Sequence, residues 1–222
     1  MKQLITIISL SLLLIASTAF GYDWMAPEWR GEANTVTAIW DNWNVDGTAD
    51  SWSSTIEGAR APMWIDVDST YADEWFGEPG VVQQHSDDGI MFWLDNANNG
   101  NPLKKVRIQV HYFGPEYGYG EVDSFNVWPD DEVYPEFHEA FLVDRLIIED
   151  EEGATGWVVD VFDIEIRPNP GEEYIAINFD WYGDYDAAIS QVVIDTQCVP
   201  VPAAVWLIGS AFLCIMGIRR KK

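Results

Sequence analysis

In its clearest stretches the chain alternates apolar and polar residues with a period of two. Ile175, Ile177, Phe179 and Trp181 fall on one side of an extended segment, and Tyr174, Ala176, Asn178, Asp180 and Tyr182 on the other; this is the spacing of a half-buried strand. Val106, Ile108, Val110 and Tyr112 oppose Lys105, Arg107, Gln109 and His111 in the same way, which predicts a core face and a wet face. Extended runs bounded by Gly, Pro, Asn and Asp predict strands at Thr35–Trp40, Met63–Asp68, Ile90–Asp95, Lys104–Phe113, Phe125–Trp128, Phe141–Glu149, Trp157–Ile166, Tyr174–Trp181 and Ser190–Cys198. Helical periodicity is scarce. Within Glu136–Asp150, Phe137, Phe141 and Ile148 would also share one side of a helix, but a strand is preferred there, with Glu149-Asp150-Glu151-Glu152-Gly153 as the hairpin loop into Trp157–Ile166. Strands of this number and length predict an all-β fold, a single sandwich or jelly-roll-like domain over residues 22–198. No internal repeat or Gly/Ser linker divides it.

Composition adds a constraint on partners. Hydrophobic residues make up 48% and charged residues 22% of the 222 positions, enough for one domain with its own core. All 37 acidic residues lie between Asp23 and Asp195, against seven basic ones (Arg30, Arg60, Lys104, Lys105, Arg107, Arg145 and Arg167), so the body carries a net charge of −30. Such a field repels phosphate backbones and anionic headgroups, which argues against nucleic-acid binding and against peripheral membrane binding. The only cysteines are Cys198 and Cys214, too few for a disulfide framework or a cysteine metal site within one chain.

The two ends differ from this body. Residues 1–21 read as a signal peptide: Lys2 supplies the positive start, Leu4 to Ala16 is an apolar run, and small residues follow, with cleavage expected between Gly21 and Tyr22. This implies passage through the Sec translocon and removal by signal peptidase. Cleavage after Ala19 is the alternative. At the other end Ala203 to Ile218 is uninterrupted by charge and is followed by Arg219, Arg220, Lys221 and Lys222. Basic residues resist translocation, so the cluster belongs in the cytoplasm and the acidic body outside.

The segment Val199-Pro200-Val201-Pro202-Ala203, followed by one apolar span and that basic terminus, resembles a PEP-CTERM sorting signal of the Val-Pro-x-Pro-Ala type, here covering residues 199–222. The resemblance implies handling by an exosortase, a membrane-embedded cysteine transpeptidase that recognises the proline motif, and passage through an inner-membrane intermediate to the cell surface or extracellular matrix of a Gram-negative bacterium. It also implies association with exopolysaccharide and biofilm. Trp29-Arg30-Gly31, Arg167-Pro168-Asn169-Pro170 and Val192–Cys198 resemble segments of β-rich proteins with such tails. A plain C-terminal anchor, leaving a permanently tail-anchored envelope protein, is the alternative reading of the same segment.

Candidate chemistry within the body is sparse. His85, His111 and His138 have no zinc-ligand spacing, and no Gly-x-Ser-x-Gly turn occurs; no catalytic residue and no cofactor is assigned. Acidic clusters (Asp66 and Asp68; Asp73 and Glu74; Asp87 and Asp88; Asp130, Asp131 and Glu132; Asp160 and Asp163; Asp180, Asp184 and Asp186) invite calcium, which takes about six to eight oxygens, or else are solvated loop charge. Paired carboxylates roughly 5–10 Å apart would suit a secreted glycoside hydrolase or lyase, the enzyme alternative. Indole faces stack on sugar rings, and Trp40, Trp43 and Trp52 are the expected place for exposed ones. The preferred function is an exported structural or glycan-binding matrix protein.

Overall fold

A computed structural model of the chain describes residues 23–43, 47–65, 69–84, 90–96, 103–114, 121–129, 136–137, 140–151, 153–167, 169, 172–180 and 187–199. Gly21, Tyr22, Pro200, Val201, Pro202, Ala203 and the basic cluster Arg219–Lys222 lie outside them. Among the described residues every helix or strand is a strand: β1 (Thr35–Trp40), β2 (Ser51–Ser54), β3 (Met63–Ile65), β4 (Ser69–Trp75), β5 (Glu78–Gln84), β6 (Ile90–Asp95), β7 (Leu103–Phe113), β8 (Glu121–Pro129), β9 (Glu136–Phe137), β10 (Phe141–Asp150), β11 (Gly153–Ile166), β12 (Glu172–Asp180) and β13 (Ala187–Val199).

They form two sheets. The larger runs β10-β11-β7-β13-β1-β2, with the β4–β5 hairpin joined to β13 through β5; the smaller runs β3-β6-β12-β8-β9. The predicted segment Phe141–Glu149 is a strand, and Asp150 pairs with Gly153 across the expected hairpin. One buried cluster takes Val36, Ala38 and Trp40 of β1, Val106, Ile108 and Val110 of β7, and Val192 and Ile194 of β13. It joins them to Ile90, Phe92 and Leu94 of β6 and Ile175, Ile177 and Phe179 of β12. The two sheets therefore share a single core, the sandwich-like arrangement that period-two alternation on both sets of strands demands. Trp40, fully buried, stands 4.7 Å from the ring of Phe92 across the layers.

β13 is the strand on which the larger sheet is assembled. Its residues 189–199 pair with β7 along one edge. The other edge is shared, with β5 beside residues 187–189 and β1 beside residues 192–197. A bulge between Ile189 and Gln191 lets Ala187 and Ile189 reach the same core as Val192 and Ile194, although their sequence positions differ in parity. The Trp43 indole donates to the Ser190 carbonyl at this bulge, at 2.9 Å.

The expected wet face of β7 is wet only in its first half, where Lys105 and Arg107 are partly exposed. Gln109 and His111 are each 1% exposed. The N-terminal stretch 23–34 lies over the middle of this outer face, and the β4–β5 hairpin folds over its far end, where Phe76 stacks on Phe113 at 4.6 Å and Val81, Phe113, Trp157 and Ala188 form a second small cluster. Alternation in one strand reports which residues share a face; it does not report that another segment covers the polar one. The hairpin escaped the sequence reading because its strands, Ser69–Trp75 and Glu78–Gln84, are polar and carry Glu-Pro-Gly. Its two-residue turn puts Phe76 (φ 46°) and Gly77 (φ 85°) at positive φ, the conformation that matches the twist of paired strands.

Gly47 shows how tightly the smaller sheet's edge is joined to β1. Its carbonyl accepts from the Trp64 amide at 2.6 Å and from the Trp40 indole at 3.3 Å, and a Cβ there would meet the Trp64 carbonyl oxygen at 2.4 Å. Gly58 has a similar φ of +77° but open space around it. Gly58→Ala is expected to lose about 1–2 kcal/mol for the left-handed backbone alone. Gly47→Ala should lose a further ~1–3 kcal/mol for the forced shift, a difference that urea unfolding of the two variants would measure.

Candidate functional site

Three segments far apart in sequence meet where β13 ends. Met25 N donates to Gln109 Oε1 at 3.0 Å, and Gln109 Nε2 donates to Asp23 Oδ1 at 2.9 Å, which lays the N-terminal stretch across β7. Arg30, presented by the turn that Gly31 (φ 79°) allows, reaches over β13. Its Nε donates to Asp195 Oδ1 at 2.6 Å, and its guanidinium also binds Asp195 Oδ2 and Asp23. Thr37 Oγ1 donates to Asp195 Oδ1 at 2.7 Å from the other side. Further along, Gln197 Nε2 donates to Glu32 Oε2 at 3.0 Å, and the Cys198 amide donates to the Asn34 carbonyl at 3.0 Å.

Asp195 is fully buried. Burial raises its pKa, against the opposing pull of Arg30 and Thr37. Burial by itself would lower the pKa of Arg30, but hydrogen bonds to Asp195 and Asp23 more than offset it and hold the guanidinium above its ordinary range. Next to this pair, Arg107 grips Asp163 with two bonds of 2.7 Å across the β7–β11 ladder.

The inner face of the same strand end is tied to the other sheet. The fully buried Cys198 thiol contacts Asn96 Oδ1, just past β6, and Asn96 Nδ2 donates to Asn169 Oδ1 at 3.0 Å. Lys104, also fully buried, is the cross-strand partner of Cys198. The segments around Trp29, Asn169 and Asp195 singled out in the sequence thus converge on one end of the sandwich. Val199, the first residue of the proline motif, is the last residue of β13 and pairs with Leu103. On the outer face nearby, Trp29, Lys105, Val106, Asp163, Ile164 and Glu165 line a shallow pocket of about 160 Å³.

The other candidates fare differently. Asp160 and Asp163 point to opposite faces of β11: Asp163 goes to Arg107, while buried Asp160 takes the Tyr112 hydroxyl at 2.7 Å and Arg145 Nε at 2.6 Å. Arg145 also binds Glu121 of β8, so this carboxylate pair clamps the two sheets through a shared cation. Asp73 and Glu74 are exposed on β4. Among the described residues no three His, Cys, Asp or Glu side chains are grouped to hold a metal. His85, His138, Asp66, Asp68, Asp87, Asp88, Asp130, Asp131, Glu132, Asp184 and Asp186 lie outside the described residues. Trp40 and Trp43, expected among exposed rings, are 0% and 3% exposed because both face the shared core; Trp52, at the sheet edge, is 40% exposed.

No known protein-family model and no curated protein matches this chain.

Removing Arg30 strands a buried carboxylate. Arg30→Ala is expected to cost roughly 3–5 kcal/mol, and Asp195→Asn in the same chain should restore part of it, which a double-mutant cycle by urea unfolding would read. His111, buried against Trp157, has its pKa lowered by burial to about 4. Between its ordinary value near 6.5 and about 4, the unfolded chain binds a proton that the folded one does not, so stability rises with pH there and is lost on acidification. His111→Phe is expected to flatten unfolding free energy against pH in that window, by about 3 kcal/mol end to end.

Proposed function

We propose that the protein is exported, processed by an exosortase at its C-terminal tail, and left at the cell surface or in the extracellular matrix as a structural or glycan-binding component. The observation that carries the reading is that β13 reaches Val199. The central strand of the larger sheet is needed in full, up to Val199, and the proline motif continues from that residue. Among the described residues the core cluster is built from positions that precede the motif.

A sorting tail requires this division of labour. The apolar run from Ala203 to Ile218 and the basic cluster Arg219–Lys222 hold the chain in the inner membrane with the acidic body outside, and a cut within or just after the motif releases a folded domain. Once free, the body's charge keeps its copies apart and soluble. For glycan contact the Trp29 pocket offers an indole face beside Lys105, Asp163 and Glu165, a combination of apolar ring surface and hydrogen-bonding groups that suits a sugar ring.

Intact mass of the protein recovered from outside the cells tests the reading. The expected product lacks residues 1–21 and the apolar tail, and Pro200→Ala with Pro202→Ala should retain the full tail in the membrane fraction. Material outside the cells that still carries the tail, or unchanged release of the double variant, would overturn it. Detergent-dependent recovery of wild-type protein at the tailed mass would favour the permanent anchor instead.

A further inference from the structure

The end of β13 sets a limit on how far the body can stand from its tail. Val199 is paired with Leu103, and the uncharged run begins at Ala203, so only Pro200, Val201 and Pro202 lie between. The four steps from Val199 to Ala203 span about 13 Å when fully extended, and the headgroup layer takes up roughly 5–7 Å of that. The end of the sandwich is thereby held within about one Debye length, ~8–10 Å, of the membrane surface. We propose that this end is a lipid-apposed surface, resting on the phospholipid headgroups while the tail is embedded; the proposal rests on the reading of the tail as a membrane segment.

The body's cations are concentrated at that end. Six of the seven cations of the body lie in the half of the sandwich where β13 ends. Lys104 and Lys105 pair with Cys198 and Gln197. Arg30 and Arg107 bind Asp195 and Asp163, Arg60 binds Asp95 at the end of β6, and Arg167 follows β11 and binds Glu165. Among the described residues only Arg145 lies elsewhere. At the opposite end the β4–β5 hairpin carries Asp73, Glu74 and Glu78, and the β10–β11 turn carries Glu149, Asp150 and Glu151. β13 alone is about 40 Å long at ~3.3 Å per residue, several Debye lengths, so the carboxylates of the far end are screened from the bilayer. The partly exposed Trp29 and Lys105 at the pocket add the indole-and-cation chemistry favoured at headgroup level.

The test uses the chain from Tyr22 to Lys222 carrying Cys214→Ser; the remaining thiol, Cys198, is fully buried. A fluorophore is placed on Ala33→Cys or on Glu151→Cys, both exposed turn positions, the first beside Asn34 and hence beside Cys198, the second at the far end. The labelled chain is floated with phosphatidylethanolamine–phosphatidylglycerol vesicles containing a headgroup spin-labelled lipid. Quenching is expected to be several-fold stronger at position 33 than at position 151. Equal quenching in a chain that floats would overturn the apposed surface. A chain that does not float would instead overturn the reading of the tail. Lys105→Glu with Arg167→Glu is expected to weaken quenching at position 33 several-fold on these vesicles and to leave it unchanged on phosphatidylcholine vesicles; the same loss on both, or on neither, would overturn the role given to charge.

Discussion

A strand hydrogen-bonded along both edges and covered on both faces cannot be placed last without holding everything else in place, and β13 is such a strand. It pairs with β7 on one side and with β1 and β5 on the other. Its inner residues meet the smaller sheet, and its outer residues lie under the N-terminal stretch and the β4–β5 hairpin. The ladder bonds of so buried a strand are shielded from competition by water, and its polar side chains must find partners within the protein. Asp195 does so through Arg30 and Thr37, and this fixes the first residues of the body onto its last strand.

That arrangement gives the chain a built-in order of events. The strand that completes the sheet is the final part of the body before the tail, so the sheet closes only when the sequence up to Val199 is present. The contacts of Asp195, Gln197 and Cys198 with Arg30, Glu32 and Asn34 bring both ends of the body together at one end of the sandwich. A domain whose two ends are joined in this way would stay stitched shut if both flanking segments were removed.

Net charge, taken alone, argued that the body should avoid a membrane surface. In three dimensions the argument changes, because screening restricts the effect of a charge to about 10 Å in physiological salt. What would matter at a surface is the charge on the end that faces it; where β13 ends the arginines are ion-paired with Asp195, Asp163, Asp95 and Glu165, with further carboxylates such as Glu28 and Glu32 close by.

The class of fold, most strand positions and the core face of β7 and β12 were legible in the residues, because alternation with period two is a local property and a single face needs no knowledge of its cover. The turn between β10 and β11 was legible for the same reason. The two ends of the chain differ from the body in apolar run length and flanking charge, which are read residue by residue. The sequence by itself therefore determined an all-β body; that the apolar runs flanking it address a membrane is our proposal. Tertiary structure alone decided that Gln109 and His111 are buried, that Trp40 and Trp43 are core, that Asp160 and Asp163 part company across β11, and that Arg30 meets Asp195. Those facts depend on which distant segments lie against a given face, and such contacts are set by how strands are ordered in the sheets, not by the pattern within any one of them.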